Sequence, residues 1–214
     1  MAVIIFGAGQ IGRVVASVLK ASGQTVVGFV DDNAMAGDTV AGLPVLGGRD
    51  ALAAHKDARV CIGVGTINAR RAVADWLDQQ GIITISAIHP SAMISDEVTI
   101  GRNTVIGAGC VFYGDVQISE GCYFGPSVTV SHDSVVGAYC LLSVGSVIGA
   151  RVDIANHVFV GTASTLMEPG FGAEARLQVG AGAIVGAGAL VIRDVAPQTT
   201  VIGRPAKKLD KPTT

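Results

Sequence analysis

Charge is scarce in this chain. Charged side chains are 15% of its 214 residues, and the formal net charge is −2. Without a basic surplus to neutralise phosphates, nucleic acid is excluded as the main partner. No run of 18 apolar residues occurs, so no membrane partner is expected. The first dozen residues lack the basic segment that opens a secretory leader, and a cytoplasmic protein is expected. Histidines number only four, too few in the right places for a metal centre. Half of the residues are apolar and 29 are glycine, a composition that excludes a disordered chain.

What the sequence does have is a count in sixes. Every sixth residue from Ile94 through Phe112, Phe124, Val130, Leu142 and Ile148 to Leu166 is apolar, without a miss. Four residues after each sits something small or β-branched, such as Cys110, Val116, Cys122, Ser134, Cys140 or Ser146. Glycine often follows the aliphatic directly, at 101, 107, 125, 137, 149 and 161. Neither a helix nor a half-buried strand produces a strict six. The pattern is that of a parallel β-helix, in which three hexapeptides make one coil and each coil stacks on the one below. The aliphatic residue fills the interior, the small residue lets the chain turn, and glycine relieves the corner dihedrals. One extra residue near 167–169 shifts the phase, and the count resumes at Met167, Ala173, Val179, Val185 and Val191. Cys110, Cys122 and Cys140 share the small slot, so packing accounts for them as reduced thiols.

Residues 1–87 carry no such rhythm. Apolar stretches at 3–6, 25–30, 59–64 and 82–86 alternate with helical patterns from Gly12 through Leu19 and over 68–80. That alternation predicts a small Rossmann-like parallel sheet. A β-helix over 88–195 and a basic tail over 196–214 complete the expected organisation. Glycines 7, 9 and 12 lie between the first strand and the first helix, and Asp31-Asp32 ends the second strand. This is the pattern of a nucleotide site, where backbone approaches a phosphate, the helix N-terminus supplies N–H groups, and an acid contacts the ribose. A tight turn that only packs helix on sheet gives the same glycines.

Titratable side chains are few in the repeat, which narrows the chemistry. His132 occupies the third position of its hexapeptide, an outward corner, and is followed by Asp133. An imidazole there can act as a general base, with the acid holding its tautomer; a solvated loop histidine is the other reading. His157, assigned to a third position as well, follows Asn156 and reads as surface or interface.

These features together resemble a known family, the bacterial left-handed β-helix acyltransferases with a small N-terminal nucleotide-sugar-binding domain. It includes the N-acetyltransferases of nucleotide-linked 4-amino-sugars and the sialic acid O-acetyltransferase relatives. The marks are residues 6–12, Val30-Asp31-Asp32, Ile88-His89-Pro90-Ser91-Ala92, Ser131-His132-Asp133, and Val201-Ile202-Gly203-Arg204-Pro205-Ala206-Lys207. The resemblance implies an α/β Rossmann-like domain followed by an all-β left-handed parallel β-helix. It also implies a homotrimer with active sites between neighbouring β-helices. Acetyl-CoA would be the co-substrate and no metal would take part.

Carried over residue by residue, His132 is the general base that takes a proton from the sugar amine, and Asp133 is its acidic partner. The N–H of Ala150, one coil on, is the candidate oxyanion donor at the acyl end of the cofactor. Gly7, Gly9, Gly12, Asp31, Asp32 and Gly65 would grip a UDP-, GDP- or dTDP-linked sugar. Gly180, Ala181 and the 203–207 segment, with Lys207, resemble the coenzyme A groove. Two positions depart from the family. Leu141 stands where many relatives carry a second histidine, and Gly125 where they often have asparagine. Both changes remove polar groups from the implied acyl pocket, and a longer acyl donor fits the added leucine. O-acetylation of sialic acid or another free sugar, and a non-catalytic nucleotide-binding trimer, are the alternatives.

Overall fold

The computed structural model describes residues 2–167 and 175–208. Two compact units emerge. The first spans Met1–Pro90 and Arg102–Ile106, and the second spans Ser91–Gly101 and Gly107–Thr214.

The first unit is built on β1 (Ala2–Phe6), β2 (Thr25–Val30), β3 (Thr39–Val40), β4 (Leu43–Gly47) and β5 (Arg59–Ile62), in the order β3-β4-β2-β1-β5. All neighbours pair in parallel except β3, which is antiparallel to β4. Val3, Ile4 and Ile5 are fully buried, as a strand covered on both faces requires. Helix α1 (Gln10–Ala21) buries Val15, Ala16, Val18 and Leu19, which recur along one face. Helix α2 (Ile67–Gln79) does the same with Val73, Ala74 and Leu77.

Three local expectations change. The strand expected over 59–64 stops at Ile62. A side chain at Gly63 would come within 2.8 Å of Gly12 and 2.7 Å of Ile5, so the chain there is committed to close packing. The strand expected over 82–86 contributes only one bridge, Val60 with Thr84. The β3–β4 hairpin has no periodic signal. It turns through Ala41 and Gly42, both with positive φ, the geometry of a two-residue turn.

The first unit also reaches beyond the expected division at 87/88. Strands Ala87–Ile88 and Val105–Ile106 pair in parallel. Arg102 forms a bidentate ion pair with Asp78. Arg70 of α2, only 3% exposed, donates to the carbonyls of Ile62 and Asn103, each at 2.6 Å.

In the second unit the sixes become two-residue strands stacked into parallel sheets. One sheet runs from Met93–Ile94 through 111–112, 129–130, 147–148 and 165–166 to 190–191. Another runs from Thr99–Ile100 through 117–118, 135–136 and 152–154 to 177–179. A third runs from Tyr123–Phe124 through 141–142, 159–160 and 184–185 to 200–202, then adds Lys207–Lys208 antiparallel. The third sheet therefore continues past residue 195, so part of the expected tail is the last coil; residues 209–214 lie outside the described ones. Interior positions such as Phe112, Phe124, Val130, Leu142 and Ile148 are fully buried. Phe112 and Phe124 meet edge to face with centroids 5.0 Å apart.

The glycines that follow the aliphatic residues serve a purpose other than the one read from sequence. Positive φ falls instead on the fourth position of the hexapeptide, at Asp115, Ser127, Asp133, Tyr139, Arg151, His157 and Ala163. A Cβ at Gly101 or Gly125 would lie 2.4 or 2.8 Å from a backbone nitrogen of the next coil. Those glycines allow coil to sit on coil.

The expected one-residue phase shift is a longer interruption. Lower coils step by 18 residues, but Thr165 pairs with Leu190 and Asp153 with Gln178, 25 apart. Met167, expected in the core, is 46% exposed, and Ala173 lies outside the described residues.

The small slot has a polar function as well. Sγ of Cys110, Cys122 and Cys140 each donate at 3.1 Å to the carbonyls of Gly125, Gly137 and Ala155 respectively. Oγ of Ser134 donates to Gly149 at 2.9 Å and accepts from the Val152 N–H at 3.1 Å. Ser134→Ala would leave both backbone groups buried and unpaired, and should cost roughly 1–3 kcal/mol. Denaturant unfolding checks this; an unchanged midpoint would show that the bonds carry no net stability.

Candidate active site

The glycine loop closes in the first unit for a steric reason. Gly7 has φ 110°, and a Cβ on Gly12 would lie 2.0 Å from the Gly7 carbonyl oxygen. Gly12 is therefore the packing glycine of the motif. Beside the loop is a cleft of ≈ 750 Å³ lined by Gly7, Gly9, Asp31, Asp32 and Gly65, together with Phe6, Gln10, Asn33, Arg49 and Val64. Helix α1 opens onto this loop with Gly9 as its N-cap, with no side-chain cap and no acid in its first turn. Its free N–H groups and positive dipole end suit an anionic ligand.

Both acids at the end of β2 already have protein partners. Asp31 accepts from the Ala8 N–H at 2.8 Å and from the Asn33 N–H at 2.9 Å, which ties the strand end to the glycine loop. Asp32 accepts from the Arg49 guanidinium, Nη2 at 2.6 Å and Nε at 3.0 Å, and from the Arg49 N–H at 2.9 Å. The guanidinium in turn lies 4.9 Å from the centroid of the Trp76 ring. Arg49 is a cleft residue that sequence reasoning missed, because no motif marks it and its partner Asp32 is 17 residues away. Its ion pair holds the Asp32 carboxyl below the ordinary carboxylate range and raises the guanidinium.

In the second unit, His132 and Asp133 stand on an outward corner, 54% and 48% exposed at their side chains. Asp133 has φ 57°, a left-handed conformation that aspartate tolerates better than most residues. That turn brings Oδ2 to 2.7 Å from His132 Nδ1. A carboxylate can only accept, so Nδ1 carries the proton of this bond, and in the neutral imidazole Nε2 is the nitrogen left with the lone pair. The next coil lies directly above. Ser131 donates to Ile148 and Arg151 donates to the His132 carbonyl, which puts Ala150 over His132. Ala150 is buried, and among the described residues its N–H meets no acceptor, while those of Gly149 and Arg151 are both used.

The other predicted residues stand apart from that corner. Gly180 and Ala181 form a different corner, one coil above Asn156 and His157, where Gly182 donates to the Asn156 carbonyl. His157 occupies the fourth, left-handed position and not the third, and its ring stacks on Tyr139 at 6.1 Å. Leu141 is half-buried on the outward side of its strand, between Tyr123 and Phe159. Gly125 packs against the backbone of the next coil, with Ser143 and Val144 nearest its missing Cβ. Lys207 is exposed at the last strand, beside Ile202. Among the described residues, no three His, Cys, Asp or Glu side chains gather where they could hold a metal ion. No helix among them is long and apolar enough to cross a membrane.

Known proteins match both halves. The PglD N-terminal domain family matches residues 2–77, and the bacterial transferase hexapeptide (six repeats) family matches residues 97–132. The acetyltransferase domain of PglB from Neisseria gonorrhoeae FA1090 superposes with TM-score 0.86 at 27% identity, covering 97% of this chain and 99% of that one. The same domain has also been solved in complex with acetyl coenzyme A. PerB from Caulobacter crescentus, in complex with CoA and GDP-perosamine, superposes with TM-score 0.78 at 31% identity, covering 98% of both chains. WeeI from Acinetobacter baumannii AYE, at 22% identity, shares the fold. No curated protein matches the sequence.

Hexapeptide coils joined to an N-terminal domain of the PglD type define a left-handed β-helix acyltransferase. Within that class, the chain belongs to the family of sugar N-acetyltransferases.

The Asp32–Arg49 pair yields a pH test. A carboxyl depressed in the folded state adds stability that is present above its unfolded value, about 3.9, and is lost as pH falls through the lower folded value. The stability advantage of the native protein over Asp32→Asn should therefore be wide at about pH 6 and narrow at about pH 3. Denaturant midpoints at the two pH values measure it; a pH-independent gap would refute the assignment.

Proposed function

We propose that the protein transfers the acetyl group of acetyl-CoA to the amine of a nucleotide-linked 4-amino-deoxysugar. The observation that carries this reading is the His132–Asp133 corner, an exposed imidazole held at Nδ1 by a carboxylate, with Ala150 on the coil above. Two further observations support it: the cleft at the glycine loop, and the PerB relative, solved with CoA and GDP-perosamine. As the amine nitrogen attacks the thioester carbonyl, His132 Nε2 takes its proton. Asp133 stabilises the imidazolium that forms. The carbonyl oxygen gains negative charge in the tetrahedral intermediate, and the Ala150 N–H is the donor for it. The C–S bond then breaks, and the thiolate of coenzyme A takes the proton from His132. The nucleotide of the sugar occupies the glycine-loop cleft, and the cofactor follows the Gly180–Ala181 corner towards Lys207 between neighbouring β-helices of a trimer.

Thiol release from acetyl-CoA, followed with a chromogenic disulfide across UDP-, GDP- and dTDP-linked 4-amino-sugars, tests the reading. One sugar should release thiol, and His132→Asn should lower kcat on the order of a hundredfold or more. Release with none of them, or native turnover in the variant, overturns it. Leu141 brings a second expectation. Contributed to the acyl pocket by a neighbouring β-helix, this apolar side chain favours a longer acyl group, so butyryl-CoA should be used better than acetyl-CoA, and Leu141→His should reverse the preference. Equal use of both, unchanged by the substitution, would remove Leu141 from the acyl pocket.

A further inference from the structure

The His132 corner is also bound from a third direction, by a residue outside every sequence motif. Arg176 stands just before the 177–179 strand, two strands up the stack from Val135–Val136. Its Nη2 donates to the backbone carbonyl of Asp133 at 2.7 Å. The same guanidinium grips Asp153, Nε to Oδ2 at 2.7 Å and Nη2 to Oδ1. Asp153 is braced in turn by Gln178 Nε2 at 2.7 Å, and the Gln178 N–H is tied to Asp194 at 2.9 Å. Arg176 and Asp153 are mostly covered, 35% and 27% exposed, whereas His132 and Asp133 are about half exposed. A covered ion pair thus holds an open corner.

What it holds is the peptide that follows Asp133. That residue is left-handed, a conformation costing on the order of 1 kcal/mol away from glycine. Rotation about the Asp133 N–Cα bond, out of the left-handed region, would relieve the cost; it would swing the carboxylate away from His132 Nδ1 and carry the Asp133 carbonyl off Arg176. From below, the Asp133 N–H is fixed on the Gly114 carbonyl at 3.2 Å, and from above, the His132 carbonyl accepts from Arg151. The Asp133 carbonyl has Arg176. Charge matters too: an unpaired guanidinium here would oppose a cation on the imidazole, and Asp153 cancels it.

We infer that Arg176, docked on Asp153, is a positioning residue that fixes the Asp133 carbonyl and so keeps the carboxylate on His132. This rests on the reading of His132 as the general base. The test is steady-state thiol release in the full chain for Arg176→Met, Arg176→Lys, Asp153→Asn, His132→Asn and the double variant His132→Asn/Arg176→Met. Arg176→Met should lower kcat roughly tenfold with both KM values within about twofold, since misplacement of a catalytic group acts on the chemical step. Arg176→Lys should recover part of the loss, and Asp153→Asn should lower kcat in the same sense. In the His132→Asn background, Arg176→Met should cost less than about twofold, because a residue acting through His132 has nothing left to position.

An unchanged kcat in Arg176→Met, a rise in KM alone, or a full tenfold loss added to that of His132→Asn would overturn the inference and leave His132 as the base. Native turnover in His132→Asn would instead remove the base, and the inference with it. Should Arg176→Met not fold, Asp153→Asn and Arg176→Lys decide the matter by the same kcat and KM criteria.

Discussion

The stacking of one coil on the next is the constraint on which the second unit depends. Each strand is only two or three residues long, far too short to hold a sheet alone. Pairing must therefore be continuous from coil to coil, and any side chain in the way of close approach is excluded. Glycines 101, 107, 125, 137 and 161 stand where a Cβ would strike the coil above. The thiols of Cys110, Cys122 and Cys140 and the hydroxyl of Ser134 reach carbonyls of that same coil. The period of six is thus the visible trace of two requirements, an apolar interior and corners whose buried backbone groups are satisfied.

Such a corner is a rigid place to mount a catalytic group. Because the backbone at 131–133 is bonded to the coils on both sides, His132 can project into solvent without its position being loose. The outward third position and the left-handed fourth position make an adjacent His and Asp hydrogen-bond to each other, a contact that consecutive residues on a flat strand cannot make because their side chains point to opposite faces. Arg176, two strands up the stack, reaches back onto this corner.

The first unit meets the need for a ligand cleft by different means. Its glycines let α1 and β5 close on the loop, and the end of β2 is tied to that loop through Asp31. Asp32 is spent on Arg49, whose guanidinium lies over Trp76. The acids expected to face a ligand therefore also organise the wall of the cleft, and the guanidinium of Arg49 lines it beside them.

By itself, the sequence determined the architecture of both units, the adjacency of His132 and Asp133 that the proposed mechanism uses, and the residues of the glycine loop, because each of these is written in local spacing. The aliphatic sixes, the Gly7-x-Gly9 turn and the adjacency of His132 and Asp133 need no distant partner to be read. Only the tertiary structure decided the rest. It moved positive φ from the glycines to the fourth position, ended β5 at Ile62, carried 102–106 into the first unit through Arg70, and put Arg49 on Asp32 and Arg176 on Asp133. All of these are pairings between residues far apart in the chain. Their geometry is set by how coils and helices close on one another, and no short window of sequence contains it.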